Sequence, residues 1–265
     1  MRPEPAIPHL SVVIPLRDEE PNVKPLHAEL TAVLERLDPA FELILVDDGS
    51  RDGTFARLEE VYAADGRVRV IRFTRNFGQT AAFAAGFAAA RGRFVITADG
   101  DLQNDPADIP RMLDLARTHD IVCGWRRRRQ DAFLTRQVPS IVANWLLGAV
   151  SGVRLHDNGC SLKVFRAEVV KPLKLQPGMH RYLPAIASQL GGRVTEVVVN
   201  HRPRQFGRSK YGLSRTFGVA VDLLRLRQVM RAAVDPAAPV PRIYEIAAVL
   251  EGPSAAGTGT LPNAR

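Results

Sequence analysis

The sequence predicts an α/β protein with a mostly parallel sheet and helices on both faces. Short apolar runs alternate with segments of helical pattern over the first 124 residues, which is typical of repeated strand–helix units. Helix start signals support the alternation, for example Asp105 as a capping residue before Pro106. The predicted strands cover 10–15, 41–46, 68–73, 93–98 and 120–123, and the predicted helices cover 19–37, 52–64, 78–90 and 106–117.

The regular alternation stops after residue 124. The elements predicted beyond it are a helix over 133–150, a strand over 162–165, a helix over 182–190, a strand over 193–200, a basic loop over 201–212 and a helix over 213–233. Pro, Ala, Gly and Ser dominate 234–265, so we expect a disordered tail there. The expected organisation is an extension over 1–9, one α/β domain over 10–212, the helix over 213–233 and the tail.

The net charge of +8 and the pI of about 10.1 indicate an anionic partner. Nucleic acid, a phosphorylated substrate and an acidic lipid surface all fit that description. The basic residues cluster in the block Arg126 to Arg129 and between Arg202 and Arg215. Only 6% of residues are aromatic, and neither cluster is laced with Phe or Tyr in the way that a surface binding single strands would be, so nucleic acid is the least favoured partner.

The cysteine content and the apolar segments predict a cytoplasmic protein. Cys123 and Cys160 have no metal-type spacing, so we expect reduced thiols in or near the core. Pro3, Pro5 and Pro8 interrupt the N-terminal segment, which argues against a signal peptide. We also expect no transmembrane helix, because no run of 18 apolar residues occurs.

The segment from Asp99 to Gln103 contains two carboxylates at the end of a predicted strand, Asp99 and Asp101. Carboxylates with this spacing can hold one Mg²⁺ or Mn²⁺, which completes its shell with phosphate oxygens and water. Strand ends are also where α/β sheets bind ligands. Two solvated Asp residues in a loop remain the alternative for this motif taken alone.

Two further strand ends are acidic. Asp47 and Asp48 follow the second predicted strand, and Glu19 and Glu20 follow the first. Each could be a local feature, since Asp residues occur in polar turns and Glu residues favour the first turn of a helix. In a doubly wound sheet, however, strands one, two and four lie close together. Their carboxyl ends would form one acidic pocket suited to a nucleotide and a cation.

The order of these motifs resembles glycosyltransferase family 2. The resemblance covers roughly residues 10–230 and is narrowed by the segments 157–161 and 207–211 to the polyprenyl-phosphate hexosyltransferases, the branch similar to dolichol-phosphate mannosyltransferase. It implies the GT-A fold and inverting transfer of a sugar from a nucleotide sugar. The motifs that carry it are Ile14-Pro15 with Glu19, Val46 to Ser50, Asp52-Gly53-Thr54, Asn76-Phe77-Gly78, Asp99 to Gln103 with Asp105-Pro106, and Gly207 to Tyr211.

The resemblance also implies roles for the donor-side residues. Pro15, Arg17, Glu19 and Asp47 occupy positions that contact the base and ribose. Asp99, Asp101 and Gln103 occupy positions that hold the metal and the diphosphate, which implies Mg²⁺ or Mn²⁺ as the cofactor. The family often has Tyr-Asn where this chain has Arg17-Asp18, so the identity of the base stays open.

On the acceptor side, the resemblance implies a catalytic carboxylate at Asp157. It also implies a loop that closes over the donor and the acceptor phosphate, with Arg202, Arg208, Ser209 and Lys210 in it. A lipid phosphate is already anionic at neutral pH, so cations that position it matter more than a general base. A saccharide hydroxyl would instead need Asp157 as the base. The basic loop therefore favours a phosphate acceptor, although it could also be a solvated loop.

We expect attachment to the inner face of the plasma membrane without a span. The predicted helix over 213–233 has one apolar face and one charged face, which is typical of an interfacial helix. The block Arg126 to Arg129 would add attraction to anionic lipid, unless it is an ordinary surface turn. The competing interpretation of the helix is packing on its own domain.

The sequence therefore predicts a hexosyltransferase that uses a GDP- or UDP-sugar and a polyprenyl phosphate. The alternatives are transfer to a saccharide hydroxyl for an envelope polysaccharide and a non-catalytic protein that binds nucleotide sugars. A sugar nucleotidyltransferase is less favoured because the first strand is followed by Leu16 to Glu19 rather than a glycine-rich loop. The sugar, the lipid length and the oligomeric state are not predicted.

Overall fold

The computed structural model describes residues 9–38, 40–127, 148, 151–205, 228 and 230–251. Short 3₁₀ turns cover Pro106–Asp108 and Met179–Tyr182. The helices and strands, in chain order, are β1 (Leu10–Leu16), α1 (Glu20–Leu37), β2 (Phe41–Asp47), α2 (Thr54–Ala64), β3 (Val68–Phe73), α3 (Gln79–Ala89), β4 (Phe94–Thr97), α4 (Ile109–Leu115), β5 (Ile121–Trp125), β6 (Lys163–Arg166), α5 (Ala167–Val170), α6 (Leu183–Ser188), β7 (Val194–Val198) and β8 (Ile246–Leu250).

The described strands form one sheet in the order β7-β5-β6-β4-β1-β2-β3-β8. The pairs β1–β2, β1–β4, β2–β3 and β5–β7 are parallel. Antiparallel pairing involves β6 with both of its neighbours and β8 with β3. The predicted α/β class is confirmed, and so is the central placement of strands one, two and four.

Helices cover both faces of the sheet because its central strands are apolar on both sides. Val12 and Ile14 of β1 belong to the core that contains the apolar faces of α1, α2 and α4. Val13, between them, points to the opposite face and packs in the core formed with α3, α5 and α6. Burying one such side chain contributes about 1.5–3 kcal/mol.

Helix α3 packs closely against strand β1 of the sheet. It is rich in alanine, and its residue Gly86 faces Val13 of β1. A Cβ atom on Gly86 would overlap the Val13 side chain. The absence of a side chain at Gly86 therefore permits this close approach. The approach matters for the site, because the first residue of α3, Gln79, lies at the carboxyl end of the sheet.

The expectation of a disordered tail from residue 234 is wrong for part of that segment. Strand β8 pairs with β3, for example through Val249 opposite Ile71. The Tyr62 hydroxyl donates a hydrogen bond of 2.9 Å to the Glu251 carbonyl oxygen, and the Glu251 carboxylate pairs with Arg69. The run from Ile246 to Leu250 has the alternating burial of an edge strand, but the Pro- and Ala-rich flanks conceal it in the sequence.

The sequence also makes predictions about the cysteines, membrane-spanning helices and two helices late in the chain. Cys123 and Cys160 are both buried and free, as expected for core thiols. Within the described ranges, no helix is both long enough and apolar enough to cross a bilayer. Most of each helix predicted over 133–150 and 213–233 lies outside the described residues. The described end of the second, residues 230–233, is helical, and its Met230 and Ala233 are buried in the core, so this end packs on its own domain rather than at a membrane interface.

Candidate functional site

The carboxyl ends of β1, β2 and β4 meet at one edge of the sheet because these strands are adjacent and parallel. Glu19 follows β1, Asp47 ends β2, and Asp99 follows β4. The turn at Gly100 lies against β1, since a Cβ there would be 3.2 Å from the Pro15 carbonyl oxygen. The acidic pocket expected from the sequence therefore exists.

The Asp99 carboxylate is fixed by two neighbouring segments. Gln79 Nε2, at the start of α3, donates a hydrogen bond of 2.7 Å to Asp99 Oδ1. The Ser161 hydroxyl donates a bond of 2.6 Å to Asp99 Oδ2. The Asp99 backbone N–H donates to Asn104 Oδ1 at 2.9 Å, which closes the turn. These contacts set the direction of the carboxylate before any ligand arrives.

Asp101 is the more deeply buried partner of the pair. Burial raises its pKa to about 6, and the nearby charge of Asp99 adds to the rise. Its Oδ1 accepts a 3.1 Å hydrogen bond from the Gln103 N–H, and its Oδ2 accepts one of 2.6 Å from Arg204 Nη2. Leu102, which lies between Asp101 and Gln103, is buried and has a φ of 62°, a left-handed conformation that is uncommon for a branched side chain.

This pair fits a divalent cation that shares its coordination with a phosphorylated ligand. Asp99 and Asp101 supply hard oxygen ligands, and their mutual repulsion is relieved by positive charge. Gln103 follows directly, although its Nε2 donates to the Arg202 carbonyl oxygen at 3.3 Å. Across the described part of the chain, no three His, Cys, Asp or Glu side chains cluster as a complete metal site.

Asp47 and Asp48 have different environments at the end of β2. Asp47 is fully buried; its Oδ1 accepts a hydrogen bond of 2.9 Å from the Ser50 N–H, whereas its Oδ2 lies 3.6 Å from Arg72 Nε and accepts no hydrogen bond from the described residues. Asp48 accepts hydrogen bonds from the N–H groups of Phe77 at 2.7 Å and Gly78 at 3.0 Å. Asp48 therefore holds the start of α3, a role that sequence reasoning missed.

The residues after β1 are linked to neighbouring elements. The Glu19 N–H donates to the Thr54 hydroxyl at 2.8 Å, and Asn22 Nδ2 donates to the Glu19 carboxylate at 2.5 Å. Arg17 is about half exposed, and its Nε lies 2.9 Å from the Asn76 amide oxygen in the orientation in which that amide accepts. Glu19 and Arg17 are thus tied to the segments that follow β2 and β3.

Asp157 forms a buried ion pair with Arg126. Arg126 Nε lies 2.7 Å from Asp157 Oδ2, and Nη2 lies 3.0 Å from Oδ1. Burial alone would lower the pKa of Arg126, but the hydrogen bonds and charge of Asp157 raise it above its usual range, and the charge of Asp99 contributes. The expectation that Arg126 belongs to a membrane-facing or surface block is therefore wrong, because β5 directs it inward.

The segment that carries Asp157 is attached to the sheet by hydrogen bonds to β4 and β6. The buried Lys163, on β6, donates to the carbonyl oxygens of Asn158, at 3.3 Å, and Cys160. Thr97, at the end of β4, donates a hydrogen bond of 2.6 Å to the Ser161 carbonyl oxygen. The sequence offers no clear signal for Lys163, since a single lysine in an apolar strand resembles an edge position.

The predicted basic loop is described only as far as residue 205. Arg202 pairs with Asp105 and Glu29, each at 2.5 Å, so it braces the loop against α1 and the turn after β4. Arg204 instead reaches Asp101 in the acidic pocket. The predicted site residues Arg208, Ser209 and Lys210 lie outside the described residues.

Comparison with curated proteins identifies polyprenyl-phosphate enzymes among the relatives. The chain is 46% identical over 232 residues to a dodecaprenyl-phosphate galacturonate synthase from Rhizobium johnstonii, covering 86% of this chain and 69% of the relative. It is 38% identical over 226 residues to an undecaprenyl-phosphate 4-deoxy-4-formamido-L-arabinose transferase from Pseudomonas aeruginosa, covering 84% and 66%. The chain thus spans about two thirds of the length of these relatives.

Solved structures with the same fold include two nucleotide-sugar complexes. The glucosyl-3-phosphoglycerate synthase from Mycobacterium tuberculosis, crystallised with Mn²⁺ and UDP-glucose, matches with a TM-score of 0.60 and 18% identity over 88% of this chain and 80% of that one. A mannosyltransferase from Pyrobaculum calidifontis, crystallised with GDP-mannose and Mn²⁺, matches with a TM-score of 0.59 and 17% identity over 88% and 66%. These likenesses confirm the expected GT-A fold.

A family model gives the last comparison. The model of glycosyl transferase family 2 matches residues 11–173, which include the acidic pair and the segment of Asp157. The match covers more than half of the chain, and the identity with the galacturonate synthase is well above 30%. The chain belongs to glycosyl transferase family 2.

Proposed function

We propose that this chain transfers a sugar from a nucleotide sugar to a polyprenyl phosphate. The observation that carries the proposal is the acidic pair Asp99 and Asp101 lying in one pocket with the guanidinium of Arg204, while Arg126 lies close to Asp99. The pair suits a cation-bound diphosphate, and the guanidinium groups suit phosphate oxygens. The family and the activities for which its relatives are named support the same reaction.

The base and ribose of the donor bind, in this proposal, at the ends of β1 and β2. Asp47 is suited to the base because its buried Oδ2, 3.6 Å from Arg72 Nε, accepts no hydrogen bond from the described residues and can accept one from a ring N–H. Glu19 can accept from ribose hydroxyls beside it, and Pro15 and Arg17 line the same side. Assays with GDP-sugars and UDP-sugars distinguish the two possible bases of the donor.

The diphosphate and a divalent cation, Mg²⁺ or Mn²⁺, bind at Asp99, Asp101 and Gln103. When bound, the cation neutralises the charge that develops on the diphosphate leaving group. Gln79 and Ser161 hold the Asp99 carboxylate from two sides. The protein therefore fixes the position at which the developing charge is neutralised. Preorganised groups of this kind need no rearrangement during the reaction.

The acceptor phosphate approaches from the side of Asp157 and the basic loop. Its oxygen is already anionic, so Arg208, Ser209 and Lys210 have the task of positioning it for attack opposite the leaving group, which inverts the sugar's configuration. Arg202, paired with Asp105 and Glu29, anchors the segment that carries them. Asp157 acts in the reaction through its negative charge, which is paired with Arg126. No proton need be removed from the nucleophile.

A saccharide hydroxyl is the second candidate acceptor, and it would need Asp157 as a general base. The ion pair with Arg126 argues against that role. A carboxylate that accepts two hydrogen bonds from a guanidinium is stabilised in its charged form and is a weak base. The pairing therefore supports the phosphate acceptor over the hydroxyl acceptor.

The test is a turnover assay with purified protein, Mg²⁺ or Mn²⁺, and a panel of UDP- and GDP-sugars that includes uronic acid and aminopentose donors. Undecaprenyl phosphate in detergent is one acceptor, and an oligosaccharide mixture is the other. We expect a glycosylated lipid phosphate from one donor. Transfer to saccharide alone would establish the second candidate, and donor binding without any turnover would establish a non-catalytic binding protein.

A further inference from the structure

The guanidinium of Arg204 lies inside the acidic pocket. Its Nη2 is 2.6 Å from Asp101 Oδ2 and 3.4 Å from Gln103 Oε1, and its Nη1 is 3.9 Å from Glu19 Oε1. These three acceptors come from the ends of two adjacent strands, β1 and β4. The Arg204 side chain is only 23% exposed. A positive charge therefore already sits beside the carboxylate that is suited to a divalent cation.

Both oxygens of Asp101 are engaged in this arrangement. The Gln103 N–H occupies Oδ1, and Arg204 occupies Oδ2. A divalent cation bound to Asp101 would lie within a few ångströms of the guanidinium, and like charges at such distances repel strongly in a partly buried pocket. A cation can therefore use Asp101 fully only when Arg204 moves away.

Arg204 is placed to move, whereas Arg202 is placed to stay. The Arg202 N–H donates a hydrogen bond of 2.9 Å to the Gln103 carbonyl oxygen, and its guanidinium bridges Asp105 and Glu29. The backbone is thus fastened two residues before Arg204. The long side chain of Arg204 can swing from this fixed point without disturbing the sheet.

We propose that Arg204 is the resident counter-cation of the Asp99–Asp101 pair, and that it leaves Asp101 when a divalent cation arrives together with a nucleoside diphosphate. This inference rests on the proposed function. A cation alone must displace Arg204 without offering it a new partner. A cation accompanied by a diphosphate brings anionic oxygens with which Arg204 can pair. Cation and nucleotide therefore strengthen each other's binding, and the coupling is reciprocal.

The experiment measures Mn²⁺ affinity by titration with electron paramagnetic resonance, with and without UDP or GDP. The variants are Arg204→Gln, which removes the charge, Arg204→Lys, which keeps it, and Arg117→Gln as a control. Arg117 is 80% exposed and pairs only weakly with Asp114, at 3.5 Å. The control changes the net charge by the same amount as Arg204→Gln but at a distance from the pocket.

We expect Arg204→Gln to bind Mn²⁺ alone about two- to fivefold more tightly than the unmodified protein, the size of one partly exposed ion pair. The gain in Mn²⁺ affinity on adding nucleotide should be correspondingly smaller. Arg204→Lys should stay close to the unmodified protein, and so should Arg117→Gln. Circular dichroism and thermal unfolding check that each variant is folded.

Equal Mn²⁺ affinity of folded Arg204→Gln and the unmodified protein, measured without nucleotide, would overturn the inference while leaving the proposed function intact. An increase of the same size in Arg117→Gln would also overturn it, because net charge alone would then explain the effect. A protein that binds Mn²⁺ neither alone nor with UDP or GDP would overturn the proposed function, and the inference with it.

Discussion

Arg126 and Asp157 form a bidentate ion pair in which both side chains are nearly buried, with exposed fractions of 10% and 5%. The pair joins the end of β5 to the segment before β6, and 31 positions separate the two residues. A buried guanidinium with a matched carboxylate is a fixed cation rather than a mobile one. We therefore propose that Asp157 acts through its charge rather than through proton transfer.

Asp157→Asn should reduce turnover far more than donor binding. The amide keeps the shape of the side chain, but it leaves the buried guanidinium without its counter-charge and free to change direction. We expect turnover to fall by at least roughly tenfold, while donor affinity changes little. Steady-state kinetics and calorimetry measure the two quantities. Asp157→Glu should recover part of the rate, and an equal loss in both quantities would make Asp157 a binding or structural residue.

Asp101→Asn should abolish metal-dependent donor binding and leave the fold intact. Loss of one carboxylate weakens a site for a hard cation, because two charged oxygens become a neutral amide. Calorimetry at matched Mn²⁺ concentration measures donor affinity. Asp114→Asn, an exposed position on α4, serves as the control. Unchanged affinity and turnover in Asp101→Asn would rule out this placement of the cation.

Arg208→Ala and Lys210→Ala should each raise the acceptor concentration needed for half-maximal rate and lower that maximal rate. Both cations have glycine and serine neighbours in the sequence, a composition suited to a closing segment. Initial rates at varied undecaprenyl phosphate measure the effect. If both variants have normal kinetics, the loop is a solvated connection without a catalytic task.

Asp65→Asn should destabilise the protein at neutral pH and do so less in acid. Burial alone would raise the pKa of Asp65, but hydrogen bonds from Arg67 and His27 lower it to about 2, below its ordinary value of 3.8. The carboxylate thus stabilises the fold above pH 4, and this stabilisation is lost as the pH falls towards 2. Urea unfolding should give a deficit of about 1 kcal/mol at neutral pH. A deficit that persists unchanged in acid would contradict the assignment.

The protein should bind anionic liposomes peripherally at low salt. The predicted helix over 213–233 carries Leu213, Phe217 and Leu224 on one face and is interrupted by charges near its end, so it suits the membrane interface. Flotation with phosphatidylglycerol vesicles should show binding that high salt reverses. Absence of binding at low salt, or release by detergent alone, would contradict this prediction.

Much of the fold follows from short-range patterns in the sequence. The runs at 68–73 and 41–46 predict their strands almost to the residue, because buried parallel strands are continuously apolar. The pocket also follows, since adjacent parallel strands bring Asp47 and Asp99 to one edge. The acidic motif therefore predicts the position of the site from the sequence alone.

Long-range partners could not be read from the sequence. Four consecutive arginines look alike, and only the direction of β5 selects Arg126 for Asp157. Arg202 and Arg204 also look alike, yet their alternate positions send one to Asp105 and the other to Asp101. Charge pairing across folded segments depends on side-chain direction, which periodicity alone leaves open.

The late position of β8 in the chain has a consequence during synthesis. Its partner β3 emerges early, and the Arg69–Glu251 contact that accompanies the pairing joins residues 182 positions apart. At translation rates of 5–20 residues per second, β3 waits roughly 10–40 s for the strand that covers its edge. Throughout that interval the nascent protein offers an open hydrogen-bonding edge to any other chain nearby. Chaperone demand and yield on overexpression should therefore depend on how soon β8 leaves the ribosome.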